Sequence, residues 1–273
     1  MNVSVVIPAR PGSPLLADCV KALLEQTYDT REIVVVIDGH GAPSLPGVQV
    51  IERERPGGAG AARNTGANAA TGELICFIDD DALAPPHWLS ALADGAARHP
   101  GAGILGGPVR PLYEAPPPRT CPRHDLSGGV LDEASEEIEI DEVWGCNMAV
   151  RRSAMEALGG FDEHLRLSED WDFGRRLIAA GGRIVYLPDA WIEHRRLADD
   201  LHVRGMPLEH LRRGWLTGMR FPEAPDPRAN ATWARRSFGH ALRTRCTRGF
   251  TDAAKGSGLA LAGLARRLGA RPR

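Results

Sequence analysis

The amino-acid sequence predicts an α/β fold: a mostly parallel sheet flanked by helices, followed by a basic helical C-terminal appendage. Short β-branched runs alternate with segments of helical periodicity through the first half of the chain. The strand-like runs are apolar throughout, which is typical of strands buried on both faces. Strands that alternate with helices at this density form parallel sheets covered by helices. Apolar residues at 43% and charged residues at 25% fit a folded globular chain.

Proline and glycine mark the ends of most predicted elements. Pro14 opens a first helix that extends to about Gln26, and Pro85 opens a third one. A second, small-residue helix begins after a glycine-rich stretch. The predicted helices cover residues 14–26, 61–71, 151–158 and 169–180, and the predicted strands cover 3–7, 32–37, 48–52, 74–78 and 183–187. No internal repeat interrupts this order.

Residues 113–142 break the alternating pattern. Three prolines at 116–118 are followed by an acidic segment at 132–141. A stretch of this length without helix or strand periodicity predicts a long mobile loop near the site. It is either a lid or a solvated excursion without a catalytic role.

Composition excludes several classes of protein. No run approaches the roughly 18 apolar residues of a membrane-spanning helix, and residues 1–7 lack the basic start of a secretion signal. The 5 cysteines are scattered and form no C-x-x-C pair, so neither a disulfide framework nor a structural zinc site is expected. Each is expected to be a small buried residue. A reducing cytoplasmic location fits best.

Three adjacent aspartates, Asp79, Asp80 and Asp81, follow the predicted strand 74–78. Carboxylates this close repel one another unless a cation or several N–H donors compensate them. On an extended segment Asp79 and Asp81 would share one face while Asp80 points to the other. Mg²⁺ or Mn²⁺ bound to carboxylates and substrate phosphate oxygens would suit this pattern. The alternative is a polar loop that caps the next helix.

Strand ends supply further candidates, because ligands of such sheets bind beyond the carboxyl ends of the strands. Pro8 and Asp38 follow the first two predicted strands. In the second half, Asn147 lies among small residues and can hydrogen-bond to hydroxyls. Taken alone, that segment is better explained as a tight strand-to-helix connection.

The acidic segment at 168–173 has two interpretations. Ser168 is positioned to cap a helix whose first turn carries Glu169, Asp170 and Asp172, which the helix dipole favours. Neighbouring aromatic residues could also desolvate one carboxylate and raise its pKa toward the range of a general base. His194 is either a structural histidine or the residue that completes a metal site begun at Asp81.

Taken in order, these segments resemble family 2 glycosyltransferases, which have the GT-A fold, a Rossmann-like α/β architecture. The resemblance rests on eight motifs spread over about 190 residues. They are S-V-V-I-P at 4–8, E-I-V-V-V-I-D-G at 32–39, A-A-R-N-T-G at 61–66, G-E-L-I-C-F-I-D-D-D at 72–81, G-C-N-M-A-V-R-R at 145–152, G-G-F-D-E at 159–163, S-E-D-W-D-F at 168–173 and P-D-A-W-I-E-H at 188–194.

The resemblance implies a donor site for a UDP-, GDP- or dTDP-sugar. Pro8 and Asp38 would border the nucleobase, with Asp38 accepting a base N–H. Arg63 would lie by the nucleotide, and Asp79 and Asp80 near the ribose. One departure is visible, since the family usually ends its second strand in two aspartates and Ile37 replaces the first. This puts a minor base or ribose contact in doubt.

The resemblance also implies the catalytic parts. Asp81, the last residue of a D-x-D motif, and His194 would hold a divalent metal, Mn²⁺ or Mg²⁺. Asn147 would contact the donor sugar. Asp170 would be the general base on an acceptor hydroxyl in a single inverting displacement. Residues 1–194 would then be the transferase domain, with nucleotide-binding half 1–112, loop 113–142 and acceptor half 143–194.

Two other classes compete with this interpretation. A nucleotidyltransferase would need a glycine-rich basic loop after the first strand, and Arg10 and Gly12 give only a faint version. A degenerate, non-catalytic nucleotide-sugar binding protein would have lost its metal or base positions, whereas Asp81, Asp170 and His194 are present.

The charge distribution singles out the C-terminal region. Residues 195–273 hold 17 basic and 6 acidic side chains, against 16 and 29 in residues 1–194. Arginines alternate with apolar stretches, and one hypothesis is a peripheral contact with an anionic membrane. No motif of nucleic-acid binding accompanies the charge, so nucleic acid is not an expected partner. The alternative is a solvated helical appendage.

Overall fold

The computed structural model describes residues 1–29, 31–113, 134–165, 168–196, 211, 214–215, 218–219, 227–244 and 247–268. The chain divides into two compact units. The first comprises Met1–Leu112 and Val130–Arg195, and the second comprises Tyr113–Gly129 and Arg196–Arg273.

The first unit alternates strands and helices as expected. Its strands are β1 (Val3–Ala9), β2 (Arg31–Ile37), β3 (Gln49–Glu52), β4 (Leu74–Ile78), β5 (Ala82–Leu83), β6 (Ala102–Gly106), β7 (Val109–Tyr113), β8 (Ile138–Ile140), β9 (Asn147–Arg151), β10 (Arg183–Tyr186) and β11 (Ile192–Arg196), the last residues of β7 and β11 belonging to the second unit. Its helices are α1 (Leu16–Leu24), α2 (Ala59–Ala69), α3 (Trp88–Arg98), α4 (Arg152–Leu158) and α5 (Glu169–Ala179).

The main sheet confirms the predicted α/β class. Its order is β3-β2-β1-β4-β9-β6-β10-β8, and a smaller sheet has the order β5-β11-β7. Strands β3, β2, β1 and β4 are mutually parallel, and β6 is parallel to β10. Strand β9 lies antiparallel between β4 and β6. The parallel half therefore presents its carboxyl ends along one edge, and β9 brings the second half of the chain beside β4.

Both faces of the sheet are covered. Val5 and Ile7 of β1 pack in one core cluster with residues of α1 and α3, whereas Val6 packs in a second cluster with residues of α2 and α5. Since alternate residues of one strand are buried on opposite sides, the continuous apolar runs in the sequence follow directly.

The acidic loop predicted over 113–142 needs a correction. Residues 114–133 lie outside the described part of the chain, but Ile138–Ile140 forms β8, antiparallel to β10 at the sheet edge. Two glutamates that alternate with the isoleucines form ion pairs, Glu137 with Arg98 and Glu139 with Arg183. Cross-strand pairing and these charges compensate for the low strand propensity of the segment.

The cysteines follow expectation where they are described. Cys19, Cys76 and Cys146 are buried free thiols. Burial raises the pKa of each thiol, and carboxylates of the aspartate triplet raise it further at Cys19 and Cys146. Cys121 and Cys246 lie outside the described residues.

The described residues from 211 onward in the second unit are mainly helical, as the sequence predicts for the C-terminal region. Helices α6 (Pro227–Thr244) and α7 (Thr247–Arg267) form an antiparallel hairpin, since a Cβ on Gly263 near the end of α7 would lie 2.4 Å from Pro227 at the start of α6. Among the described residues, no helix is long and apolar enough to span a membrane.

The contact between α2 and β1 requires glycine at position 66. A Cβ there would lie 2.3 Å from Cγ1 of Val6, a fully buried side chain. Gly66→Ala should therefore lower the free energy of unfolding by about 1 to 3 kcal/mol in denaturant titrations. Gly239→Ala is the matched control inside α6, where the nearest atom is 3.7 Å away; it should raise stability by about 0.5 to 1 kcal/mol. Equal effects would contradict this packing.

Candidate active site

The candidate site begins at the carboxyl ends of β1, β2 and β4, which are adjacent in the sheet. Pro8 is a buried residue of β1 in register with Val36 of β2. The backbone N–H of Asp38 donates to the carbonyl of Ala9 at 2.9 Å, so the two strand ends stay together. The predicted nucleobase residues Pro8 and Asp38 are thus neighbours.

Asp38 organises the loop that precedes α2. Its carboxylate accepts hydrogen bonds from the backbone N–H groups of Gly57 at 2.8 Å and Gly58 at 2.7 Å, and from Nε of Arg53 at 3.1 Å. Gly58 has a φ of 86°, which favours glycine. These bonds use most of the acceptor capacity of Asp38, so its contact with a base N–H stays a prediction that depends on the remaining lone pair.

The aspartate triplet alternates as the sequence predicts. Oδ1 of Asp79 accepts from Nη2 of Arg63 at 2.8 Å, and Oδ1 of Asp81 lies 3.3 Å from Nε2 of His194. Asp80 points elsewhere: it accepts from the backbone N–H of Arg10 at 3.4 Å and from Ser13. Burial raises the pKa of Asp80, and the hydrogen bond from Ser13 opposes this rise.

Arg63 is the buried hub of the site. Its guanidinium is 3% exposed and donates to Asp79 and, at 2.6 Å, to Oε1 of Glu169 on α5. The ring of Phe161 lies 5.8 Å from the guanidinium carbon. Burial alone would lower the pKa of Arg63, but Asp79, Glu169 and Asp170 outweigh it and raise that pKa. Arg63 therefore stays charged and joins β4 to α5.

The two acids at the start of α5 have different environments. Glu169 is buried, and burial raises its pKa although Arg63 opposes the shift. Asp170 is partly exposed, and its Oδ2 accepts from the backbone N–H of Gly145 at 2.8 Å. Ser168 occupies the N-cap position as predicted, but at a φ of 64° its side chain makes no capping bond. Asp170 is the acid of this pair that a substrate can reach.

Carboxylates and an imidazole converge where the sequence predicts a metal. Besides the Asp81–His194 contact, ligand atoms of Asp79, Cys146 and His194 lie within 4.8 Å of one another. Burial, followed by the nearby aspartates, raises the pKa of the Cys146 thiol, so it remains a neutral and poor ligand for a hard cation. Oxygen and imidazole ligands from Asp79, Asp81 and His194 fit Mn²⁺ or Mg²⁺.

Asn147 serves the interior of the fold. Its side chain is fully buried; Oδ1 accepts from Nε1 of Trp88 at 2.9 Å, and Nδ2 donates to the carbonyls of Pro108 at 3.1 Å and Ala190 at 2.8 Å. This network locks β9 to α3 and to the segment before β11. Contact between the Asn147 side chain and a donor sugar stays a prediction, and it would require these bonds to open.

Sequence reasoning overlooked Arg53 and the ion pair of Glu169. Arg53 donates to Asp38 and, through Nη1, to the carbonyl of Ala61 at 2.9 Å, so it closes the loop before α2. The sequence indicated Glu169 only as one of the acidic residues in the first turn of a helix, and its ion pair with Arg63 was not predicted. An arginine inside a small-residue helix was a usable signal, because a buried guanidinium needs carboxylate partners.

The described geometry and the sequence matches define a glycosyltransferase with the GT-A fold. Residues 4–159 match glycosyl transferase family 2, and residues 128–199 match the N-terminal domain of galactosyltransferase. The first match covers more than half of the chain. The chain therefore belongs to glycosyl transferase family 2.

Curated relatives span several glycosylation systems. The chain is 27% identical over 217 residues to glucosyl-dolichyl phosphate glucuronosyltransferase of Haloferax volcanii, covering 71% of this chain and 69% of that protein. It is 30% identical over 207 residues to pre-mycofactocin glycosyltransferase of Mycobacterium tuberculosis, covering 71% of this chain and 42% of the relative. The chain thus spans less than half of that second relative.

Solved structures share the fold. A mannosyltransferase from Pyrobaculum calidifontis in complex with GDP-Man and Mn²⁺ is 20% identical with a TM-score of 0.58, covering 98% of this chain and 75% of that one. The S. aureus protein TarS 1–349 in complex with UDP is 17% identical with a TM-score of 0.57, covering 100% of this chain and 93% of that one.

Substitution of Arg63 tests directly whether its buried ion pairs stabilise the site. Arg63→Met should lower the free energy of unfolding by about 3 to 5 kcal/mol, because it leaves Glu169 and Asp79 without their cation. Arg98→Gln is the matched control, since Arg98 pairs with Glu137 at the surface; it should cost less than about 1 kcal/mol. Denaturant unfolding measures both, and similar losses would refute the buried ion-pair assignment.

Proposed function

We propose that this family 2 glycosyltransferase moves a sugar from a nucleoside-diphosphate sugar to an acceptor hydroxyl by one inverting displacement, with metal assistance. The observation that carries the proposal is the position of His194, whose ring lies within 4.8 Å of a ligand oxygen of Asp79 and 3.3 Å from Oδ1 of Asp81. Asp170 is tied to this cluster through Gly145, the residue before Cys146. We further propose that residues 1–112 bind the nucleotide and residues 143–194 bind the acceptor. Complexes of the solved relatives with GDP-Man, UDP and Mn²⁺ support this donor class.

The donor nucleotide would lie along the edge from Pro8 and Asp38 to Asp80. Asp38 already fixes the Gly57–Gly58 backbone, so it would shape the base pocket as well as border it. Asp80 would lie near the ribose. Asp79, expected there from the sequence, is also close enough to His194 to serve the metal site. Arg63, although buried, would act on the nucleotide through Asp79. This assignment leaves the loop before α2 as part of the base pocket.

Asp79, Asp81 and His194 are the residues that would hold Mn²⁺ or Mg²⁺. A divalent cation supplies Lewis-acid stabilisation of the departing diphosphate. Its carboxylate and imidazole ligands are held in position by Arg63 and by the pairing of β11 with β5, which sets His194 opposite Ala82.

Asp170 would be the general base. The backbone N–H groups of Gly145 and Trp171 donate to its two oxygens at 2.8 Å each, which orients the carboxylate. The side chain is partly exposed, and its remaining lone pairs would accept the proton of the acceptor hydroxyl. Asp170 would take the proton of the acceptor hydroxyl while the hydroxyl oxygen attacks the anomeric carbon of the donor sugar. One base is enough, because an inverting displacement forms no covalent sugar intermediate. The bond to the diphosphate breaks in the same step.

The first prediction of this function concerns nucleotide binding. One of UDP, GDP, dTDP or CDP should raise the unfolding temperature in the presence of Mn²⁺, because a ligand at about 100 times its Kd adds about 2.7 kcal/mol of stability. Asp81→Ala should abolish the rise, whereas Asp189→Ala, which alters an exposed aspartate, should keep it. No shift with any nucleotide and metal would contradict the proposed donor site.

The second prediction concerns the base. Asp170→Asn keeps an acceptor oxygen for the Gly145 N–H, gives up the bond from the Trp171 N–H, and removes the proton acceptor. Release of nucleoside diphosphate from the donor, with water or an acceptor alcohol, should slow by about 10² to 10⁴-fold while the Kd of the donor stays unchanged. Unchanged turnover would exclude Asp170 as the base.

A further inference from the structure

The helical hairpin of the second unit exposes large apolar side chains in rows. Leu261, Leu264 and Leu268 follow one another at i, i+3 and i+7, and they are 51%, 52% and 80% exposed. One turn apart on α6, Phe238 and Leu242 are 48% and 60% exposed. Residues at such spacing lie on one face of a helix. Clusters of exposed large apolar residues mark interaction surfaces rather than ordinary solvated helices.

The two rows meet at a groove between the helices. A cavity of about 790 Å³ is lined by Phe238 and Ala234 of α6 and by Leu261, Ala254 and Ser257 of α7. Small residues in its walls leave room for an inserted hydrocarbon. The groove is therefore the apolar centre of the surface, and the exposed leucines extend it along α7.

Another face of α7 is already packed. A Cβ on Gly258 would lie 2.1 Å from the carbonyl oxygen of Leu211, and one on Gly218 would lie 2.6 Å from Cβ of Ala262. On this face of α7, the glycines allow neighbouring backbone to approach closely, so the face is occupied by packing within the second unit. Ala262 is fully buried there, while Leu261 and Leu264 beside it in the sequence point to solvent.

A basic stripe borders the apolar groove. Arg235, Arg236 and Arg243 line a second cavity of about 450 Å³ together with Thr232 and Gly239. Arg235 lines both cavities, so the basic and apolar surfaces are continuous. All three arginines are exposed. Among the described side chains that line the two cavities, none is acidic.

We propose that this hairpin surface docks on an anionic lipid bilayer. Phe238, Leu261 and Leu264 would enter the boundary between headgroups and acyl chains, and Arg235, Arg236 and Arg243 would contact lipid phosphates. An amphipathic helix with arginines beside an apolar face binds membranes in this way. A second copy of the chain fits less well, because a two-fold interface would place the same arginine stripes against each other. The inference is independent of the donor chemistry.

Sedimentation of the full chain with vesicles tests the proposal. The protein should bind vesicles of phosphatidylcholine mixed with phosphatidylglycerol, should bind phosphatidylcholine alone much more weakly, and should dissociate at high salt. R235Q/R236Q/R243Q should lower binding to the mixed vesicles on the order of a hundredfold, since each arginine near an anionic surface contributes about fivefold. L261Q/L264Q/L268Q should lower binding to both vesicle types.

Matched controls come from the first unit. Ile178→Gln and Arg55→Gln alter an exposed apolar and an exposed basic residue, and both should leave vesicle binding unchanged. Melting temperatures equal to that of the wild type show that the variants fold. The proposal is overturned if the wild-type chain ignores the mixed vesicles, or if folded variants bind them as well as it does. Self-association without vesicles that the leucine variant abolishes would assign the face to a second copy.

Discussion

The site depends on one buried cation. Arg63 lies near the middle of α2, and its guanidinium is buried. Its Nη2 donates to Oδ1 of Asp79 at 2.8 Å, and its Nη1 donates to Oε1 of Glu169 at 2.6 Å. A buried guanidinium is costly without partners, and each carboxylate would be costly without the guanidinium. The three side chains therefore stabilise one another, and they fix the end of β4 relative to the start of α5.

Small residues around Arg63 make this arrangement sterically feasible. A Cβ on Gly145 would lie 2.7 Å from the guanidinium carbon, and one on Gly60 would lie 3.2 Å from Glu169. Gly145 also donates its backbone N–H to Asp170. The same glycine thus contacts the buried cation and the candidate base. A shift of Arg63 would consequently displace both Asp79 at the end of β4 and the candidate base Asp170, although Arg63 itself is neither a candidate metal ligand nor a candidate base.

Periodicity and motif order predicted the features that are local in sequence. Strand β4 and the alternation of Asp79 and Asp81 against Asp80 follow from a single apolar run and its end. A strand-to-helix connection was one interpretation of residues 145–152, and β9 followed by α4 is such a connection. The antiparallel place of β9 between β4 and β6 was not predicted, because partners far away in the chain decide it. Strand β8 was hidden for the same reason, since its acidic residues depend on Arg98 and Arg183 for compensation.

Side-chain roles were harder to infer than element types. Asn147 has the chemistry of a sugar ligand, yet Trp88 and two backbone carbonyls engage both ends of its buried amide. Asp38 has the chemistry of a base acceptor, yet it also holds the backbone of Gly57 and Gly58. A sequence shows which groups can hydrogen-bond. Only the packing shows which of them are already engaged within the fold.

The central claim is that Asp79, Asp81 and His194 form one site for a divalent metal and a nucleoside diphosphate. Titration of Mn²⁺ followed by the electron paramagnetic resonance signal of the free ion, with and without each nucleotide, tests it most directly. The account predicts that one nucleotide raises the Mn²⁺ affinity and that Mn²⁺ raises the affinity for that nucleotide by the same factor. Independent binding of the two, or no binding of Mn²⁺ in the presence of any nucleotide, would contradict it.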